Sequence, residues 1–146
     1  MRDLPRQLSR EELAELFEGD TALVRRLAEV EDPLGQARRV VRDLTEDEKL
    51  EALNAHPAIG QRAGLSARSA AEQGADADPE VLDELARLNR DYEERFGFRF
   101  VVFVDRRPKA EILEVLRERI RRTREQELDT AVEELVAIAE DRWRHS

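Results

Sequence analysis

Two histidines occur in the 146 residues, and one of them, His56, is followed by Pro57, Ala58, Ile59 and Gly60. An imidazole titrates closest to neutrality of all side chains, so one structured histidine is what general acid–base chemistry would use. Proline fixes its own φ and pushes the preceding residue toward extended geometry, which constrains where the His56 ring leaves the chain. The plainer alternative is a capping or core histidine with both nitrogens satisfied. The other histidine, His145, is the second-last residue, where chain ends fray. A second group is Ser69, Glu72 and Gln73. Residues three and four apart share a helix face, so this spacing presents a hydroxyl, a carboxylate and an amide together. A solvated helix face has the same pattern. The third group is Phe98-Arg99-Phe100-Val101-Val102-Phe103-Val104. Its side chains read as core, which leaves the main chain of residues 100–104 able to line a ligand.

The elements that must position these groups are helical nearly throughout. Ser9 with Glu12, and Thr45 with Glu48, are capping boxes that open helices. Leu13, Leu16 and Phe17 follow the first, and Leu50 and Leu53 follow the second, in a helix that stops near Asn54, just before His56. Between them, Leu23, Val24, Leu27 and Val30 form one apolar face, and Leu34, Ala37, Val40, Val41 and Leu44 another. Residues 57–66 read as a loop, and a short helix from Ser66 or Ala67 carries Ser69 to Gln73. Asp78-Pro79 is an N-cap followed by proline at the first helical position, and Gly97 is a C-terminal cap. Residues 98–104 are dense in aromatic and β-branched side chains, as strands are, yet no second segment has that character. The expectation is a buried extended segment threaded between helices, whose amides and carbonyls find partners other than a neighbouring strand. Two further helices follow, one opened by Pro108 with Ile112, Leu113, Leu116 and Ile120, and one with Leu128, Ala131, Val132, Leu135, Ile138 and Ala139. The fold class is all-α: a single domain spanning residues 1–146, a compact bundle of about seven or eight helices with one buried extended segment near 98–104.

Composition removes several function classes. The formal charge of −9 disfavours nucleic acid or an anionic membrane as partner. The chain has no cysteine, which excludes disulfides and thiolate-bound metals. Two distant histidines and no calcium-loop spacing leave no metal site. No apolar run approaches membrane-spanning length, and Met1-Arg2-Asp3-Leu4-Pro5 lacks the apolar core of a signal peptide, so the expected location is the cytoplasm. No strand–elbow–helix context surrounds any serine, as a nucleophilic hydrolase would need.

Taken in order, H-P-x-I-G at His56, S-x-x-E-Q at Ser69 and the run Asn89-x-x-Tyr92-x-x-x-Phe96-Gly97-Phe98-x-Phe100-Val101 resemble the OHCU decarboxylase family, the 2-oxo-4-hydroxy-4-carboxy-5-ureidoimidazoline decarboxylases of urate breakdown. The resemblance is specific from His56 to Val104 and looser through the last two helices, while the N-terminal third resembles the family only faintly. It implies an all-α homodimer that takes a small ureidoimidazoline and needs no cofactor. It places the catalytic histidine on His56 and the catalytic carboxylate on Glu72. It places substrate-binding positions on Pro57, on Ser69, Ala70, Ala71, Glu72 and Gln73, on the main chain of Phe100, Val101, Val102, Phe103 and Val104, and on Arg119. Where relatives often carry an asparagine three residues after that arginine, this chain has Arg122.

The implied substrate carries its carboxylate on a ring carbon beside a C=N bond. Loss of carbon dioxide leaves an electron pair that the C=N absorbs, so the substrate is its own electron sink. The expected product is (S)-allantoin, with His56 donating or relaying the proton. Two other readings stand beside it: an enzyme of the same scaffold acting on another ureido or hydroxy-carboxylate ring, and a helical interaction module without catalysis.

Overall fold

The computed structural model describes residues 7–57 and 78–145. The chain forms helices α1 (Arg10–Leu16), α2 (Ala22–Leu27), α3 (Pro33–Asp43), α4 (Glu46–Asn54), α5 (Pro79–Phe96), α6 (Lys109–Arg119) and α7 (Arg124–Arg144). No strand occurs among the described residues. The short helix expected to carry Ser69 to Gln73 lies outside them.

Local chemistry sets most helix ends. Ser9, Thr45 and Thr123 each accept a hydrogen bond from the backbone three residues on, and Glu12, Glu48 and Gln126 return it to the cap amide. Asp78 accepts from the Glu80 amide at 3.1 Å with Pro79 in the first turn of α5. The apolar face expected to run through Val30 is helical only as far as Leu27. There Glu29 and Val30 donate to carbonyls three residues back, at 3.2 Å each, and tighten the end of the helix. Pro108 caps α6 rather than beginning it.

The long α7 packs against α1, α3 and α4, and α5 pairs with α6. The core joins both groups: Leu13, Leu23, Leu27, Leu34, Leu53 and Leu135 on one side, Leu85, Tyr92, Ile112 and Leu116 on the other, all fully buried. Each such side chain contributes about 1.5–3 kcal/mol by leaving water. Residues 98–104 run extended between α5 and α6, and Phe98, Phe100, Val101, Val102 and Val104 are buried. The expected extended segment without a partner strand is therefore present.

The turn from α5 into that segment depends on Gly97, which ends the helix at φ 81°. A methyl group added there would meet no atom within 4 Å, so the cost of a side chain is backbone strain alone. Gly97→Ala is expected to lower unfolding free energy by about 1–2 kcal/mol in denaturant titration; an unchanged midpoint would mean the turn relaxes out of the left-handed region.

Candidate active site

His56 lies two residues beyond α4, where its amide donates to the Leu53 carbonyl at 3.2 Å. The residue is only 5% exposed, and its Nε2 is buried with no hydrogen-bond partner among the described residues. A capping or core histidine would have its nitrogens satisfied, so this geometry departs from the plainer alternative. The His56 carbonyl accepts from the Arg99 guanidinium. The Arg99 amide donates to Asn54 Oδ1 at 3.0 Å, and its Nε donates to Glu93 at 3.1 Å. Arg99 thus ties the start of the extended segment to the end of the helix that carries the imidazole.

The connection between α1 and α2 closes another side. Glu18 adopts a left-handed backbone at φ 63°. A Cβ on Gly19 would stand 3.3 Å from the Ala55 Cβ, which shows how closely this loop lies on the end of α4. From the last turn of α7, Arg142 donates Nη1 to the Leu16 carbonyl at 2.9 Å, and its Nη2 pairs with Glu18 at 3.1 Å. The imidazole is held neutral in this setting. Burial pushes its pKa down to about 3, the Arg142 charge adds to the shift, Glu18 opposes it, and Arg99 lowers it further.

The extended segment finds side-chain partners where a strand would have supplied main-chain ones. The Val101 carbonyl accepts from Arg119 Nη1 at 2.7 Å. The Phe103 amide donates to Glu134 at 3.4 Å, while Arg107 donates to the Phe103 carbonyl at 2.5 Å and to the Val104 carbonyl at 3.0 Å. Among the described residues, the Phe100 amide and both main-chain groups of Val102 have no such partner. Arg119 lies beneath the segment. Its guanidinium stacks over the Phe100 ring at 4.7 Å, and its Nε donates to Glu127 Oε1 at 2.8 Å.

Of the residues expected to form the site, the structure brings His56 and the start of the extended segment together and seats Arg119 under the Val101 carbonyl. Pro57 follows His56 and is half-buried. Ser69, Ala70, Ala71, Glu72 and Gln73 lie outside the described residues. The sequence reading missed Glu18, Arg142 and Glu127. Arg142 had a signal: it continues the stripe of Leu135, Ile138 and Ala139 on α7, and an arginine at an apolar position is a buried charge with work to do.

Among the described residues, no group of three acidic, histidine or cysteine side chains is placed to hold a metal, and no helix is long and apolar enough to cross a membrane. Within this all-α domain, one buried imidazole lies beside an extended, arginine-anchored strip.

The sequence profile of the OHCU decarboxylase family matches residues 2–144, and the chain belongs to that family. It is 36% identical over 122 residues to a 2-oxo-4-hydroxy-4-carboxy-5-ureidoimidazoline decarboxylase of Haloferax volcanii, spanning 80% of this chain and 71% of the relative. It is 34% identical over 113 residues to a protein of the same name from Halalkalicoccus jeotgali, spanning 74% of this chain and 64% of that one. Among solved structures it is similar to an OHCU decarboxylase crystallised in the presence of (S)-allantoin, with a TM-score of 0.76 and 26% identity over 90% of this chain and 94% of that one. The N-terminal third, faint by sequence motif, falls within the family match.

The histidine also links folding to pH. The unfolded imidazole binds its proton near 6.5, and the folded one only near 3. Between those values the unfolded chain holds more protons, so this group makes stability fall as pH drops from about 6.5 toward about 3. Wild type should lose melting temperature more steeply than His56→Asn between about pH 7 and pH 5. Parallel curves would show that His56 titrates alike in both states.

Proposed function

We propose that this protein decarboxylates 2-oxo-4-hydroxy-4-carboxy-5-ureidoimidazoline to (S)-allantoin without a cofactor, as a step of urate breakdown. The observation that carries this reading is the buried Nε2 of His56, left without a partner at the end of α4 and tied through Arg99 to the extended segment. Family membership and the names of the relatives support the same reaction.

The reaction asks little of the protein. The bond from the ring carbon to the carboxylate breaks, and its electron pair enters the adjacent C=N. One proton reaches the ring nitrogen, and the hydroxyl proton must move to the neighbouring ring carbon on one face. A neutral imidazole suits that last transfer, because it can take the hydroxyl proton and return it to carbon. A standing imidazolium is disfavoured by burial and by the nearby guanidiniums. His56 is therefore assigned the relay rather than outright donation.

The Arg142 charge is the largest electrostatic influence on His56, so a substrate carboxylate seated beside the imidazole would be drawn toward that guanidinium. Open main-chain groups around Val102 would fix the ring plane. On the strength of the family motif, Glu72 is assigned to hold the imidazole or the substrate hydroxyl, Ser69 and Gln73 to bond the polar ring and ureido group, and Pro57, Ala70 and Ala71 to complete the binding positions. Arg119 contributes through the strip it supports. A cytoplasmic homodimer belongs to the same reading.

The test is a coupled assay in which urate is oxidised and hydrolysed enzymatically, this protein is added, and the optical activity of the allantoin is followed. Wild type should accelerate formation of one enantiomer. His56→Asn should lower turnover by ~10²–10⁴-fold while keeping its helical circular dichroism. A folded His56→Asn protein with full activity would refute the relay, and a wild type that yields only racemic product at the background rate would refute the reaction.

A further inference from the structure

The charged group buried deepest among the described residues lies away from His56. Glu127, in the first turns of α7, is fully buried. Its Oε1 accepts from the Tyr92 hydroxyl at 2.6 Å and from Arg119 Nε at 2.8 Å, and its Oε2 accepts from Arg122 Nη1 at 3.0 Å. Arg122 also donates to Thr130 Oγ1 at 2.9 Å. A carboxylate loses a large hydration energy on burial and persists there only when well paired. This one is paired by groups on α5, on α6 and in the turn before α7.

Two of these partners, Arg119 and Tyr92, lead to the extended segment. Arg119 uses Nη1 to hold the Val101 carbonyl at 2.7 Å and lays its guanidinium on the Phe100 ring. The Tyr92 ring meets Phe98 and Phe100 edge-on at 5.9 and 5.3 Å. The phenol and guanidinium that locate residues 98–101 are thus both oriented by one carboxylate oxygen. Without Glu127, Arg119 would be a buried cation with one acceptor, the carbonyl of the strip itself.

We propose that Glu127 is a positioning residue for the reaction: by clamping Arg119 and Tyr92 it sets the height and tilt of the Phe100–Val104 main chain against which the substrate ring lies. This rests on the decarboxylase reading above. Glu127 touches no reacting atom, so its loss should act on substrate placement and leave the chemistry of His56 unchanged.

The experiment uses Glu127→Gln, which keeps shape and one acceptor but removes the charge, and Tyr92→Phe, which removes one donor to the same oxygen and carries the same test if Glu127→Gln does not fold. Two measurements are made on the folded variant well below its melting temperature: decarboxylase kinetics across pH, and amide hydrogen exchange of residues 98–104. The expected result is faster exchange of that segment, kcat/KM lowered between ~10- and ~100-fold chiefly through KM, and an unchanged pH profile. Combining either substitution with Arg119→Lys should cost less than the sum of the two, because all act through one clamp. Wild-type exchange in the segment together with wild-type KM, in a variant that has lost only melting temperature, would overturn the proposal. The exchange measurement separates the two readings: if wild type has no decarboxylase activity, loosening of residues 98–104 in the variant supports the clamp, and unaltered exchange refutes it.

Discussion

A peptide segment placed inside a helical protein has lost water and has no neighbouring strand, so its amides and carbonyls need side chains or a ligand as partners. That constraint organises the second half of this molecule. Arg119, Arg107, Glu134 and Asn54 reach residues 99–104 from four different elements. Two of the four are arginines, whose planar fork holds two acceptors at once: two carbonyls for Arg107, a carbonyl and a carboxylate for Arg119. Arg119 shows the consequence, since holding Val101 required a buried counter-charge, and Glu127 in turn required Tyr92 and Arg122. One unpaired strip thereby fixes how α5, α6 and α7 meet.

The site at the other end of the strip uses the opposite arrangement. His56 is taken out of water with Nε2 unpaired, a cost that a core histidine would avoid by finding a partner. Among the described residues, the imidazolium would face Arg142 and Arg99 with only Glu18 in its favour, so the ring remains neutral well below neutrality. Glu18 reaches Arg142 from a left-handed backbone that a non-glycine residue adopts at some cost. Strain and an orphaned nitrogen within one small region are what a fold tolerates where a ligand, rather than the native chain, is to be satisfied.

Much of this was legible from the residues. The capping boxes at Ser9 and Thr45, the Asp78-Pro79 start and the Gly97 stop are local chemistry, decided within a few residues of sequence, and the helices begin and end where those signals place them. The extended segment was legible because aromatic and β-branched density without a second such segment has few other outcomes. His56 stood out through scarcity alone. What the sequence hid is what depends on tertiary placement. Arg119 reads as an anion-binding residue in isolation, and only the approach of α7 shows that its anion is Glu127. Glu18 follows a short helix as any surface residue might, and only the packing of Gly19 on Ala55 brings it to the histidine.

A neutral, buried imidazole with one unpaired nitrogen is central, and nitrogen-15 NMR of His56 measures it directly. His56 is predicted to keep the chemical shifts of a single neutral tautomer from about pH 7 down to about pH 5, and to shift at one ring nitrogen when (S)-allantoin is added. A His56 ring that protonates near 6.5 and ignores allantoin would contradict the burial, the electrostatics and the assigned role together.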